Sequence, residues 1–173
     1  MARAALHEET ACRLLVNRYL KPLLNLAARL LQNRADAEDM VQEAFIRLWR
    51  EAPHWRGQAK VGTWLHQIVY HACIDRLRQR TVLPLEELEE PLYSEPETDP
   101  LATLQLQEAA QLVEQAMAAL PPRQRAAILM VHYQEFHQVD AAQVLGIGVE
   151  ALESLLARGR RKLRQLLAES IKG

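Results

Sequence analysis

"QVDAAQVLGIGVEALESLLARGRRKLRQLL", residues Gln138–Leu167, reads as a short helix, a glycine turn and a longer helix. Gly146 stands where the chain must turn tightly, and glycine accepts the backbone angles such a turn demands. Ala141, Ala142, Val144, Leu145, Ile147, Val149, Leu152, Leu155 and Leu156 recur at helical spacing and supply a packing face. The pattern predicts a helix-turn-helix, with a first helix over Gln138–Leu145 and a second from about Val149. "RGRRKLR", Arg158–Arg164, places five cations at the end of that second helix. Two readings fit them. They contact phosphates from a helix lying in a DNA groove, or they complement the dipole at a helix C-terminus.

Charge is segregated along the chain. Residues 1–80 hold 13 Lys and Arg against 8 Asp and Glu. Residues 81–108 hold 8 acids and no base, and residues 109–173 return to 8 bases against 6 acids. The net charge of −1 conceals two basic blocks around an acidic strip. Two surfaces are therefore suited to nucleic acid, and the segment between them is not. With 173 residues, 49% of them apolar, the chain is long enough for one globular domain or two small ones. Cys12 and Cys73 form no CxxC pattern, which fits a reduced, cytosolic protein. No signal peptide and no membrane span is expected.

The upstream pattern is helical throughout, with no strand signal. Residues 6–32 carry a leucine stripe, and Pro22 predicts a kink or a break with a restart. Asp36 reads as the N-cap of the next helix, with Asp39 three residues on. That helix, to about Glu51, buries Met40, Val41, Ala44, Phe45, Leu48 and Trp49. Asp39, Gln42, Glu43, Arg47 and Arg50 take the other face, with Ile46 out of place among them. Pro53 and Gly57 mark a loop over Ala52–Lys60. The next helix runs from about Val61 to Arg80 and ends on Arg76, Arg78 and Arg80. Residues 81–100 contain four prolines and seven acids and read as a flexible linker in which "LEELEE" makes at most one helical turn. Helix resumes from Leu101 to about Leu120, and a further helix follows Pro122 over Arg123–Tyr133.

Little in this pattern suggests catalysis. His66 and His71 are five apart, as are His132 and His137. Five residues turn a helix by about 500°, so each pair points about 140° apart. Zinc pairs prefer i, i+4, and HExxH is absent. Phosphate-loop, dinucleotide and nucleophile-elbow motifs are absent too. No metal, cofactor or enzymatic activity is expected. Trp55, Arg56, Lys60, Thr63, Trp64, His66, Gln67, Tyr70 and His71 interleave aromatic with basic and polar groups. That mixture suits unstacked single-stranded bases, although Trp64 and Tyr70 serve equally well as core.

Three blocks in order resemble an extracytoplasmic-function (ECF) sigma factor of bacterial RNA polymerase. "DAEDMVQEAFIRLWR" (Asp36–Arg50) resembles region 2.2 of that family. "WRGQAKVGTWLHQIVYHACIDRLRQR" (Trp55–Arg80) resembles regions 2.3 and 2.4. "LPPRQRAAILMVHYQEFHQVDAAQVLGIGVEALESLLARGRRKLRQLL" (Leu120–Leu167) resembles region 4. The resemblance implies an all-α fold of two small helical domains. Residues 1–80 are a region 2 domain, 81–100 an acidic proline-rich linker, and 101–173 a region 4 domain.

By the same resemblance, Asp39, Gln42, Glu43, Ile46, Arg47 and Arg50 dock on the polymerase β′ clamp. Trp55, Arg56, Lys60, Thr63, Trp64, Gln67, His71 and Arg76 hold the melted −10 element. Gly148, Glu150, Glu153, Ser154, Arg158 and Arg161 read the −35 element, and region 4 meets the β flap. An anti-sigma factor is the implied regulator. The family often carries Asn at His71, Lys or Arg at Glu153, and Arg at Leu155. Those departures imply a different promoter sequence or weaker −35 binding. A helix-turn-helix regulator without polymerase explains Gln138–Arg164 alone, and a decoy for an anti-sigma partner is the third reading. In any of these the two domains are expected to move freely without a partner.

Overall fold

The computed structural model describes residues 8–57, 59–82 and 100–170. Most of the acidic strip, including the turn expected at "LEELEE", lies outside the described residues, as does Gln58. The described residues form α1 (Glu9–Leu31), α2 (Arg34–Glu51), α3 (Val61–Val82), α4 (Pro100–Ala118), α5 (Pro122–Ile128), α6 (Gln138–Leu145) and α7 (Val149–Ser170). A 3-10 turn, Ala52–His54, follows α2, and a π-helical turn, Leu129–Tyr133, continues α5.

Helix α1 runs through Pro22 without a break. Proline costs a helix interior about 3 kcal/mol. Leu23, Leu26 and Leu30 follow it, fully buried, and each such burial contributes about 2 kcal/mol. Packing therefore outweighs the lost backbone bond. The helix ends on Gln32 in the left-handed region, φ 54°, its N–H bonded to the Ala28 carbonyl.

The expected cap of α2 is corrected by the structure. Asn33 is the N-cap, and its side chain accepts from the Asp36 N–H at 2.8 Å. Asp36 turns away to a tertiary role. Arg76 Nη2 donates to its carboxylate at 2.9 Å, and Arg80 Nη2 bonds to the same group. The Arg76 hydrogen bond, aided by the charge of Arg80, holds this carboxyl below its ordinary value of 3.8 against the opposing effect of burial. Asp36→Asn should cost about 2 kcal/mol at neutral pH, because both cations then face a neutral amide. A carboxyl with a lowered folded value stabilises the fold above its unfolded value, and that contribution fades as pH falls below it. Urea midpoints at pH 7 and pH 3 should therefore differ less in the variant than in the parent.

In this structure the two domains pack against each other. Their buried residues form one continuous core, in which α3 packs on α6 and α1 on α5. Arg125 of α5 crosses the boundary. Its Nη1 donates to the carbonyls of Arg29 at 3.3 Å and Leu30 at 3.0 Å, at the end of α1. Its Nη2 donates to the carbonyl of Leu120 at 3.1 Å and to that of Ala118. The π-helical turn and the residue after it add further contacts. Tyr133 lies under Arg29, 4.1 Å from guanidinium carbon to ring centroid, and Gln134 Nε2 donates to the Pro22 carbonyl at 3.0 Å. An extra residue in the turn swings these side chains out of the α5 register and onto the first domain.

Candidate nucleic-acid interface

Helix α2 presents its two faces as the periodicity requires. Val41, Ala44, Phe45 and Leu48 are buried, while Asp39, Gln42, Glu43, Arg47 and Arg50 are exposed. Ile46 lies on the polar face and is 44% exposed. An apolar side chain among charges on an open helix face suits a protein contact better than water.

Beyond α2, Trp55 and Trp64 meet edge to face with centroids 5.2 Å apart. They wall an open cleft of about 460 Å³ together with Arg56 and Gln67. Aromatic faces with a cation at the rim can stack an unpaired base and hold its phosphate. Not every residue expected on this surface is available to it. Thr63 is buried, and Arg76 is engaged by Asp36. His71 is exposed, its ring 5.2 Å from that of Tyr70.

The second domain closes over the same surface. Gln143 of α6 lines the aromatic cleft. Asp140 of α6 accepts from Lys60 Nζ at 2.9 Å. A carboxylate thus sits where the sequence places a phosphate. Nothing local in the sequence signals Asp140 or Gln143 as part of this site, because they come from a helix 80 residues downstream of Lys60.

The helix-turn-helix forms as its spacing predicts. Ala141, Ala142, Val144, Leu145, Leu152 and Leu156 are buried, and Gly146 takes φ 64° at the turn. Gly148, Glu150, Glu153, Ser154, Arg158 and Arg161 are all exposed. Gly159 packs the same helix close to α5. A Cβ there would meet Ile128 Cδ1 at 2.9 Å. The basic end of α7 is thereby fixed against the domain core while its cations face water.

No described helix is long and apolar enough to cross a membrane. The Sigma-70 region 2 family model matches residues 15–82, and the Sigma-70, region 4 model matches residues 110–163. The ECF RNA polymerase sigma factor SigM of Mycobacterium tuberculosis is 37% identical over 153 residues, which cover 88% of this chain and 75% of SigM. SigW of Bacillus subtilis is 28% identical over 166 residues, covering 90% of this chain and 88% of SigW. Among solved structures, CnrH in complex with the cytosolic domain of CnrY has a TM-score of 0.71 at 25% identity, covering 97% of this chain and 94% of that one. The sigma factor RpoE of Bartonella quintana, in complex with the anti-sigma factor NepR, shares the fold with a TM-score of 0.73 at 20% identity. That match covers 90% of this chain and 96% of that one. Together with a basic, aromatic first domain and an exposed helix-turn-helix, these likenesses place the chain in the ECF family of RNA polymerase sigma factors, the subunits that set promoter choice when transcription initiates.

Proposed function

We propose that the exposed polar face of α2 docks on the β′ clamp of core polymerase through Asp39, Gln42, Glu43, Ile46, Arg47 and Arg50. The observation that supports this reading is Ile46, held in water on an otherwise polar face. The first domain, residues 1–80, then captures the melted −10 strand. Flipped bases enter the cleft between Trp55 and Trp64, with Arg56 and Lys60 on phosphates and Gln67 and His71 facing the bases. Capture of unpaired bases shifts the balance from closed to open promoter without any bond being made or broken by the protein. The second domain, residues 101–173, contacts the β flap and lays α7 in the major groove at the −35 element. The linker, residues 81–100, follows the path of nucleic acid through the polymerase, where its acids keep it off DNA.

The promoter elements lie about 25 base pairs apart, or about 85 Å along B-DNA at about 3.4 Å per pair. A compact chain of 173 residues has a radius of gyration of about 16 Å. The packed arrangement therefore cannot read both elements at once. Engagement of promoter DNA requires α6 to leave the first domain. Control by an anti-sigma factor acting in the cytoplasm fits this picture, since a partner that holds the domains together holds the −10 surface covered. CnrH is seen in complex with the cytosolic domain of CnrY, and the Bartonella sigma factor with the anti-sigma factor NepR.

Transcription from genomic fragments with purified core polymerase tests the assignment. Discrete starts sharing a −10/−35 pair are expected, and no binding to core polymerase would refute it. Glu153 gives a second check. A glutamate can accept from cytosine N4 in the groove but repels phosphate. Glu153→Arg should raise affinity for promoter duplex about ten-fold and change the −35 preference, measured by selection from a randomised duplex. Unchanged affinity and preference would take Glu153 out of the groove.

A further inference from the structure

His66 lies on α3 at the boundary between the domains and is 3% exposed. Its ring meets the ring of Phe136, from the second domain, edge to face at 4.8 Å. Nδ1 is 2.7 Å from the Gly62 carbonyl oxygen, an acceptor, so Nδ1 carries the proton. Nε2 is buried and has no hydrogen-bond partner. A neutral imidazole fits this place, with its bare lone pair against an aromatic edge. An imidazolium fits less well, because its charge would be buried away from water with only the Gln134 side chain near to receive its second N–H.

We propose that protonation of His66 releases the second domain from the first, so that the pairing which covers the −10 surface is acid-labile. The charged ring is satisfied by water only once Phe136 has moved away. Opening is therefore the route by which the chain accepts the proton. That the uncovered surface is the −10 site rests on the functional reading above; the release itself does not.

His66 is buried among groups that are mostly exposed or paired. Burial dominates in driving its proton affinity below the ordinary 6.5, opposed by the Gly62 carbonyl and the nearby Gln134 side chain. On the facing domain Asp140 is paired with Lys60, while His132, Glu135 and His137 are exposed. On α1, Arg18 and Lys21 are exposed, and Arg29 is held by Glu114 at 3.0 Å. On α2, Asp36 is bound to Arg76 and Arg80, and the other charged groups are exposed. On α3 itself, His71 is exposed, and burial pushes the Cys73 thiol up to about 12, so it stays neutral.

The sign is fixed by linkage. The closed state binds fewer protons than the open one, so closure is favoured above about pH 6.5 and weakens below it. The opening constant should rise up to about ten-fold for each pH unit below that value, until the closed form itself takes the proton.

Single-molecule energy transfer on the full chain reads this directly. Dyes on Arg13→Cys and Glu169→Cys, both exposed positions, report the two domains in a Cys12→Ser background, where Cys73 is buried and escapes labelling. A low-transfer population should grow about five-fold from pH 6.5 to pH 5.5 with helix content by circular dichroism unchanged. It should stay flat in His66→Leu, and His71→Gln should respond as the parent does. No growth in the parent, equal growth in His66→Leu, a lost response in His71→Gln, or growth that tracks loss of helix would each overturn the proposal. Neither DNA nor polymerase enters the measurement, so its failure leaves the promoter reading standing.

Discussion

Arg125→Met should lower the stability of the chain by about 3 kcal/mol, read as a drop in urea midpoint with helix content as the probe. Arg125 is buried, has no carboxylate partner among the described residues, and spends its two terminal nitrogens on four backbone carbonyls. Two close α1 and two close the end of α4. The last carbonyls of a helix have no partner inside it and carry the negative end of the dipole. A guanidinium fork suits them because it is planar, always charged and able to serve several oxygens at once. Methionine fills much of the volume and donates nothing, so what it loses is the polar contribution rather than a cavity. Arg125→Lys keeps the charge but serves fewer carbonyls, and should fall between Met and the parent. For a chain of this size each kcal/mol moves the melting midpoint by about 2–4 °C, so a shift near 10 °C is expected for Met. A loss below about 1 kcal/mol would mean that water replaces the fork at little cost.

The sequence makes α2 legible because its apolar positions repeat at helical spacing and its one irregularity, Ile46, is a single side chain. The helix-turn-helix is legible for the same reason, with Gly146 as punctuation. What escapes is decided by partners far along the chain. Asp36 satisfies every local rule for an N-cap, but Arg76 and Arg80, 40 and 44 residues on, claim its carboxylate, and Asn33 takes the cap. Pro22 satisfies the local rule for a break, yet the leucines that hold α1 together act through tertiary burial. His66 reads as half of a failed metal pair because spacing sees only His71. Its partner, Phe136, is 70 residues away and reaches it through a π-helical turn that periodicity does not register. The aromatic cleft was readable as a composition, but its cover by Gln143 and Asp140 was not. That cover depends on the two domains packing against each other, which the proline-rich acidic strip between them argues against.

Asp39→Ala, Gln42→Ala and Glu43→Ala together should weaken binding to core polymerase at least about 30-fold. The expectation rests on a loss of 2 kcal/mol or more for a hot spot at the centre of an interface, with each 1.4 kcal/mol worth a factor of ten. All three side chains are exposed on α2, so the fold loses no buried contact. Alanine also has the highest helix propensity, so α2 itself is not weakened. The effect on binding is therefore separable from an effect on folding. Removing two of the acids should also flatten the salt dependence of association, because rim charges act chiefly on the encounter rate. Ile46→Ala should cost less, about 1 kcal/mol, as befits one apolar contact of modest area. The set discriminates among readings of the whole chain. If α2 is the docking face, the triple variant loses polymerase while keeping its affinity for promoter duplex through α7. If the protein acted on duplex DNA alone, the triple variant would behave as the parent in every binding assay. Intact polymerase affinity in a folded triple variant would move the docking surface off α2. Ile46 would then be one more exposed apolar residue of the ordinary kind.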